Sequence, residues 1–377
     1  MLILAGIALA FLGVLATAIP LSRSTRWWVR MLDFPRAQVA AILAVSLALL
    51  VVALLRSESA GLNLSYSWII PALVFIALAY QLLRMRPYSV LASTQVPSLR
   101  NSDGANHIRL LVSNVLQSNR NFAGLLDLIR ESDPDLIFLV ECDHAWVRAL
   151  DVLRESHPHM IQLPQDNGYG LAFFSRIPVE LAEWRFLRDE EIPSVKVTLL
   201  MDGDRRVHCY GLHPAPPVPD YAEETDQRDA ELLVVAKEIR DMGEPVLVFG
   251  DLNDVAWSPT TTLFQAVSGL LDPRVGRGQF NTFHARWPLL RYPLDHVFVS
   301  THFKLRQLRR LRDIGSDHFP ILADLALSPI AEAQPEGKGE RAESSPDDLA
   351  EANERIAQAN EKVDHQRTSV SDSYWAS

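Results

Sequence analysis

PVLVFGDLNDVAWSPT, residues 245–260, opens with Val246, Leu247, Val248 and Phe249 and then turns polar at Gly250-Asp251-Leu252-Asn253-Asp254. An unbroken short apolar run is the mark of a buried strand. A carboxylate and an amide two residues apart at its end are candidates for a site, because strand ends in layered α/β folds converge on one edge where sites are built.

The pattern recurs along the chain. Ser113-Asn114 ends RLLVSN, Glu141 ends DLIFLVE, His213 ends VHCYGLH, Asp295 and His296 lie in YPLDHVFV, and Asp317-His318 opens SDHFPILADL. Any one of these is explained equally well as a turn former, a helix cap or a hydrogen-bonded structural histidine. Six such junctions in one domain point instead to a shared site. Carboxylates, carboxamides and imidazoles without cysteine form a hard, oxygen-rich donor set suited to Mg²⁺ or Mn²⁺ rather than to thiolate zinc. Such an ion neutralises charge on a phosphoryl group while a nearby base generates hydroxide.

From about residue 107 to 327, short apolar runs alternate with amphipathic stretches, as in an α/β domain. Strands are expected at 108–115, 135–140, 171–175, 195–200, 207–212, 246–250, 294–299 and 321–327. Helices are expected at 122–131 and 222–242. Some strands are joined by helices and others by short turns, which predicts two packed β-sheets flanked by helices, a four-layer sandwich, rather than one parallel sheet. Residues 88–106 read as a linker. Residues 328–377 are acidic with few large apolar side chains, and are expected to be disordered or to form a transient helix near 347–364. Asp254 is assigned to a helix cap.

The first 87 residues form a membrane domain with three expected transmembrane helices, at about 2–20, 37–55 and 64–83. Ala16-Thr17-Ala18 resembles a cleavage site, but no basic residue precedes the first apolar run, so a cleaved leader is the lesser reading. Arg23, Arg26, Arg30 and Arg36 between the first two spans favour an outside amino terminus and an inner-membrane protein with its large domain in the cytoplasm. The net charge of −10 disfavours avid, nonspecific polyanion binding. Cys142 and Cys209, the only two cysteines, exclude a disulfide scaffold.

In order and spacing, residues 108–327 resemble the endonuclease/exonuclease/phosphatase superfamily, the fold of the pancreatic-type deoxyribonuclease. SNV at 113–115, LVE at 139–141, GLHP, GDLN at 250–253, LDHVF and SDHFP carry the resemblance, GDLN with SDHFP most specifically. It implies two packed sheets flanked by helices and a metal-dependent phosphoesterase site at one edge. By that resemblance Glu141 binds the divalent metal, assisted by Asn114 and Asp317. His318, oriented by Asp317, is the acid/base partner of the water. His213 bonds a nonbridging phosphate oxygen, Asp251 and Asn253 position water and phosphate, and Asp295 supports the second histidine or the metal. Val140 stands where the family often has Gln.

The expected function is a membrane-anchored, divalent-metal-dependent phosphodiesterase or nuclease acting by direct water attack. Its partners would be the lipid bilayer and a phosphoester substrate, either nucleic acid or phospholipid, and no protein partner is identified. No Lys/Arg-rich loop with interleaved aromatics supports a grip on duplex DNA. A noncatalytic membrane adaptor is the reading from another class. His284 and Trp287 are read as loop packing, and His157 and His159 receive no role.

Overall fold

The structure, a computed structural model, describes residues 2–59, 68–99, 106–217, 224–328 and 344–374. Its amino-terminal part is helical, with α1 (Leu2–Ala18), α2 (Trp27–Arg30), α3 (Arg36–Ser59) and α4 (Ile69–Met85). Then follow β1 (His107–Asn114), α5 (Phe122–Ser132), β2 (Leu136–Val140), α6 (His144–Ala149), β3 (His159–Leu163), β4 (Leu171–Ser175), β5 (Val179–Arg185), β6 (Ser194–Met201) and β7 (Arg205–Leu212). The chain continues through α7 (Asp226–Ile239), β8 (Val246–Asp251), α8 (Pro259–Ser268), β9 (Asp295–Val299), β10 (Phe303–Arg310), β11 (Ile321–Leu327) and α9 (Pro346–Tyr374).

The strands form two mixed sheets, ordered β10-β11-β1-β2-β4-β3 and β5-β6-β7-β8-β9. Each has one parallel pair at its centre, β1 with β2 and β7 with β8, and antiparallel neighbours elsewhere. The carboxyl ends of the four central strands therefore lie at the same edge as the amino ends of β9 and β11. This topology, rather than any local motif, brings distant polar residues together.

The apolar run 246–249 is explained by burial on both faces. Leu247 and Phe249 join Val112 and Phe138 in the core between the sheets, where the rings of Phe138 and Phe249 meet edge to face at 5.2 Å. Val246 and Val248 face Leu232 of α7 and Phe264 of α8. On the outer face of the other sheet, Leu111 and Leu139 pack against Leu125 of α5 and Trp146 of α6. The layers are thus helix, sheet, sheet, helix. Full burial of a side chain such as Phe249 contributes about 2 kcal/mol.

Three strands, β3, β5 and β10, fall outside the sequence expectation. All three are sheet edges, and most of their side chains are half-buried or exposed, as with Glu180, Leu181 and Glu183 of β5. They lack the apolar run that marks an internal strand. Helix α8 was also not expected. Its N-cap is Ser258, whose hydroxyl accepts from Thr261 N at 2.9 Å. Asp254, assigned to a cap from sequence, instead braces that cap by accepting from Ser258 Oγ at 2.6 Å.

Where the acidic tail is described, it takes the helical one of its two expected forms. Residues 346–374 form a helix longer than the expected 347–364, with Ala352 and Ala359 buried, while residues 329–343 lie outside the described residues. Small alanines let α9 approach closely, and ion pairs of Lys362 with Glu224 and Asp226 hold it against the start of α7. A stretch with few large apolar residues can therefore dock through alanine and charge. The described part of the expected linker is packed as well. Val96 is buried in the inter-sheet core, and Leu99 N donates to Leu305 O at 2.9 Å.

Among the described residues, three helices are long and apolar enough to cross a membrane, over Leu2–Ser22, Arg36–Arg56 and Ile69–Tyr88. Residues 64–67, where the third span was expected to begin, lie outside the described residues. Helices α1 and α3 pack so closely at Gly13 that a Cβ there would lie 2.6 Å from the Leu43 side chain. The connection between α1 and α3 docks on the sheet domain. Arg30 pairs with Asp229 at 3.2 Å, Trp257 Nε1 donates to Asp33 O at 2.8 Å, and Phe34 meets Tyr292 edge to face at 5.6 Å.

Candidate active site

Asn114 ends β1, and Glu141 follows β2, its parallel neighbour. Glu141 has φ 62°, in the left-handed region, which costs a residue of this type about 1–2 kcal/mol and turns its side chain away from the strand direction. Its carboxylate accepts from Asn114 Nδ2 at 2.7 Å and from Gln117 N at 3.1 Å. The same Asn114 amide donates to Asp251 Oδ2 at 3.1 Å. One carboxamide thereby links carboxylates presented by the two sheets.

On the second sheet, Gly250 has φ 141°, and a Cβ there would sit 1.9 Å from Leu212 O. Only glycine lets β8 run this close to β7 and place Asp251 and His213 side by side. Asn253, at φ 51°, donates from Nδ2 to Pro214 O at 2.9 Å, and its backbone N donates to Asp251 Oδ1 at 3.0 Å. The turn GDLN is therefore a clamp between the His213 loop and the Asp251 carboxylate.

His318 sits between two carboxylates, with Nδ1 2.8 Å from Asp295 Oδ2 and Nε2 3.5 Å from Asp251 Oδ2. Burial works to lower its pKa, but Asp295 and then Asp251 outweigh this and hold it up at about 10. His213 is also buried, and burial dominates there, lowering its pKa despite Asp251 at 4.0 Å. One imidazole is thus a cation and the other neutral at ordinary pH. Burial raises the carboxyl groups of Asp251 and Glu141.

The expected orientation of His318 by Asp317 is corrected. Asp295, from the far sheet, makes the bond to Nδ1. Asp317 points elsewhere, accepting from Ser316 Oγ at 3.4 Å. Residues adjacent in sequence project in different directions in an extended segment, so adjacency was the wrong guide. His296, next to Asp295, is structural: it is buried between Arg274 at 2.6 Å and Asp254 O at 2.9 Å.

A cleft of about 310 Å³ collects Asn114, Glu141, His213, Asp251, Asn253, Asp317 and His318 on its wall, with Asp295 behind His318. Sequence reasoning missed its other lining residues. Tyr169 lies with its ring 5.6 Å from His213, and Phe283 lies 4.9 Å from His318. Met31 and Phe34 come from the connection between the first two apolar helices. The Gly-rich run GYG around Tyr169 was the available signal for the first, and nothing local marked the others. His284 and Trp287 do not line the cleft.

The donor set fits a hard divalent cation. The lining holds carboxylates, carboxamides and imidazoles, with no Lys, Arg or Cys among the lining residues, so acidic charge there is balanced only in part by His318. Among the described residues, Asp295 Oδ1 and His213 Nδ1 are buried without a hydrogen-bond partner, which signals an ion, water or ligand. Asp251, Asp295 and His318 form an acidic and histidine group with ligand atoms within 4.8 Å of one another. Because His318 Nδ1 is already bonded to Asp295, the Glu141 and Asn114 side of the cleft is the better seat for a cation.

Comparison with known proteins follows the same line. The model of the endonuclease/exonuclease/phosphatase family matches residues 111–318. Over 112 residues the chain is 35% identical to a protein of Escherichia coli K12 described as uncharacterized protein YbhP, covering 26% of this chain and 41% of that protein. The match therefore spans less than half of that relative. Humanized D. rerio TDP2 aligns with a TM-score of 0.49 and 17% identity over 58% of this chain and 98% of its own. The human Nocturnin catalytic domain aligns with a TM-score of 0.49 and 17% identity over 60% and 97%.

Proposed function

Because the chain belongs to the endonuclease/exonuclease/phosphatase family, we propose that it is a membrane-anchored phosphodiesterase that depends on a divalent metal, Mg²⁺ or Mn²⁺, and splits a phosphoester bond by direct attack of water. The observation that carries this reading is the convergence of Glu141, Asn114, Asp251, Asn253, His213 and His318, from two sheets, on one cleft.

Glu141 with Asn114 would hold the metal, and Asp317, which lines the cleft without engaging His318, is a further carboxylate for it. When bound, the metal supplies charge neutralisation for the phosphoryl oxygens. Asp251 accepts the proton of the attacking water. His318, held as a cation by Asp295 and Asp251, donates to the phosphoryl group as charge develops, so that of the acid/base role expected from sequence it takes the donor half and Asp251 the acceptor half. Neutral His213 and Asn253 bind nonbridging oxygens. The P–O bond to the leaving oxygen breaks as the new one forms, and the departing alkoxide takes up a proton from solvent to leave as the alcohol, with no covalent enzyme intermediate.

Anchoring is supported by the three apolar helices and by the docking of the α1–α3 connection on the sheet domain, which requires both to lie on one side of a bilayer. The arginines of that connection favour the cytoplasmic side of an inner membrane. The test is a screen of full-length protein in detergent against DNA, RNA, nucleotide and lipid phosphoesters with Mg²⁺. Turnover of at least one class is expected. Folded protein that binds Mg²⁺ and turns over none would favour the adaptor reading instead.

A further inference from the structure

The cleft wall has two unlike halves. One carries the polar groups described above, and the other is apolar, built from Met31, Phe34, Phe283, Tyr292 and Leu294. Two of these, Met31 and Phe34, belong to the short connection between the membrane-length helices α1 and α3, so the apolar half begins where the chain leaves the apolar spans. Phe34 and Tyr292 are fixed in one cluster with Trp257 and Leu294, whereas Met31 is 36% exposed at the cleft mouth.

A second feature continues this wall outward. The segment 284–291 carries Trp287, Leu289 and Leu290, which are 62%, 83% and 50% exposed. It is tied to the membrane helices at one end, where Gln38 Nε2, two residues into α3, donates to Leu289 O at 2.5 Å. At the other end it is tied to the site, where Ala285 N donates to Asp317 O at 2.7 Å. These exposed apolar side chains sit beside the first turn of α3, a helix long and apolar enough to cross a membrane, where a bilayer interface would favour large apolar and aromatic groups. One stretch of chain, 283–294, thus carries both the exposed apolar side chains at 287–290 and the apolar cleft residues Phe283, Tyr292 and Leu294, with Arg286 and Arg291 as its only charged members.

From this continuity we infer that the substrate is a phosphodiester lipid: its phosphate enters the cleft while its apolar portion stays against Met31 and the 287–290 segment, contiguous with the bilayer. This rests on the phosphoesterase reading and narrows it. A polynucleotide fits less well, since no Lys or Arg among the described residues lines the cleft to follow a run of phosphates. A single phosphate needs only the metal and His318.

Full-length protein reconstituted in vesicles of phosphatidylethanolamine and phosphatidylglycerol, about 3:1, tests the inference, with release of phosphorylated headgroup as the readout. A soluble aryl phosphodiester and a single-stranded oligonucleotide serve as parallel substrates. The expected result is lipid turnover that Met31→Ser and Leu289→Ser each lower about tenfold relative to turnover of the soluble diester by the same variant. Both positions are exposed enough to leave folding intact, and Leu289→Cys labelled with an environment-sensitive dye should also report an apolar setting in the vesicles. Hydrolysis of the soluble diester without the lipid, preferred hydrolysis of the oligonucleotide, or a lipid-to-diester ratio unmoved in both variants overturns the lipid inference alone. Failure on all three substrates overturns the phosphoesterase reading and this inference with it.

Discussion

Replacing Asp295 with Asn isolates the pair that holds His318 as a cation. Asp295 is fully buried, and its Oδ2 lies 2.8 Å from His318 Nδ1. Burial opposes the imidazolium, yet Asp295 first and Asp251 second raise its pKa from 6.5 to about 10. At about 1.4 kcal/mol per unit this rise amounts to roughly 5 kcal/mol, and Asp295 carries the larger share of it. If His318 stabilises charge on the phosphoryl group, losing that share should lower kcat by about a hundredfold, since each 1.4 kcal/mol is about a factor of ten. The assay is kcat on a soluble aryl phosphodiester with saturating Mg²⁺ for Asp295→Asn, His318→Ala and the double variant, with circular dichroism to verify the fold. Two groups acting as one unit are not additive, so the double variant should be no slower than His318→Ala alone. A loss of less than about threefold in Asp295→Asn, or single-variant losses that multiply in the double variant, would refute the coupling.

Three further outcomes are expected. Gly250→Ala forces a Cβ to within 1.9 Å of Leu212 O at a φ of 141°, and should cost about 2–5 kcal/mol, read as a lower Tm together with loss of activity. Glu231 is buried with its pKa raised to about 8, so its stabilising protonation is complete below the unfolded value near 4.5 and is lost as pH rises through about 8. Glu231→Gln should flatten that decline and raise Tm at about pH 8, and equal pH profiles for the two proteins would count against it. Ser258→Ala removes the cap of α8 and should lower stability by about 1 kcal/mol, checked by denaturant unfolding in detergent.

What the sequence disclosed follows from where signals are local. Internal strands such as β8 announce themselves by apolar runs because both faces are buried, and the polar residues at their ends stand out in the sequence alone. Edge strands such as β5 carry Glu180 and Glu183 on exposed faces and give no such signal. Pairings across the two sheets carry no local signal: nothing near SDHFP says that His318 is held by Asp295 rather than by Asp317, and only the family resemblance offered Asp295 as a support for the histidine or the metal. Met31 and Phe34 were hidden for a related reason, since a connection between apolar helices reads as a membrane loop until tertiary packing brings it to the cleft. The tail helix α9 was half legible, its position foreseen near residues 347–364 but its docking through Ala352 and Ala359 not.

Metal-dependent hydrolysis at the Glu141 centre is tested most directly by one comparison on the full-length protein. Phosphodiester turnover is measured with Mg²⁺, after chelation, after Mg²⁺ is restored, and in Glu141→Ala. Turnover that disappears on chelation, returns with Mg²⁺ and is absent in a folded Glu141→Ala variant is the expected result. Turnover that survives chelation, or that Glu141→Ala retains in full, would contradict it.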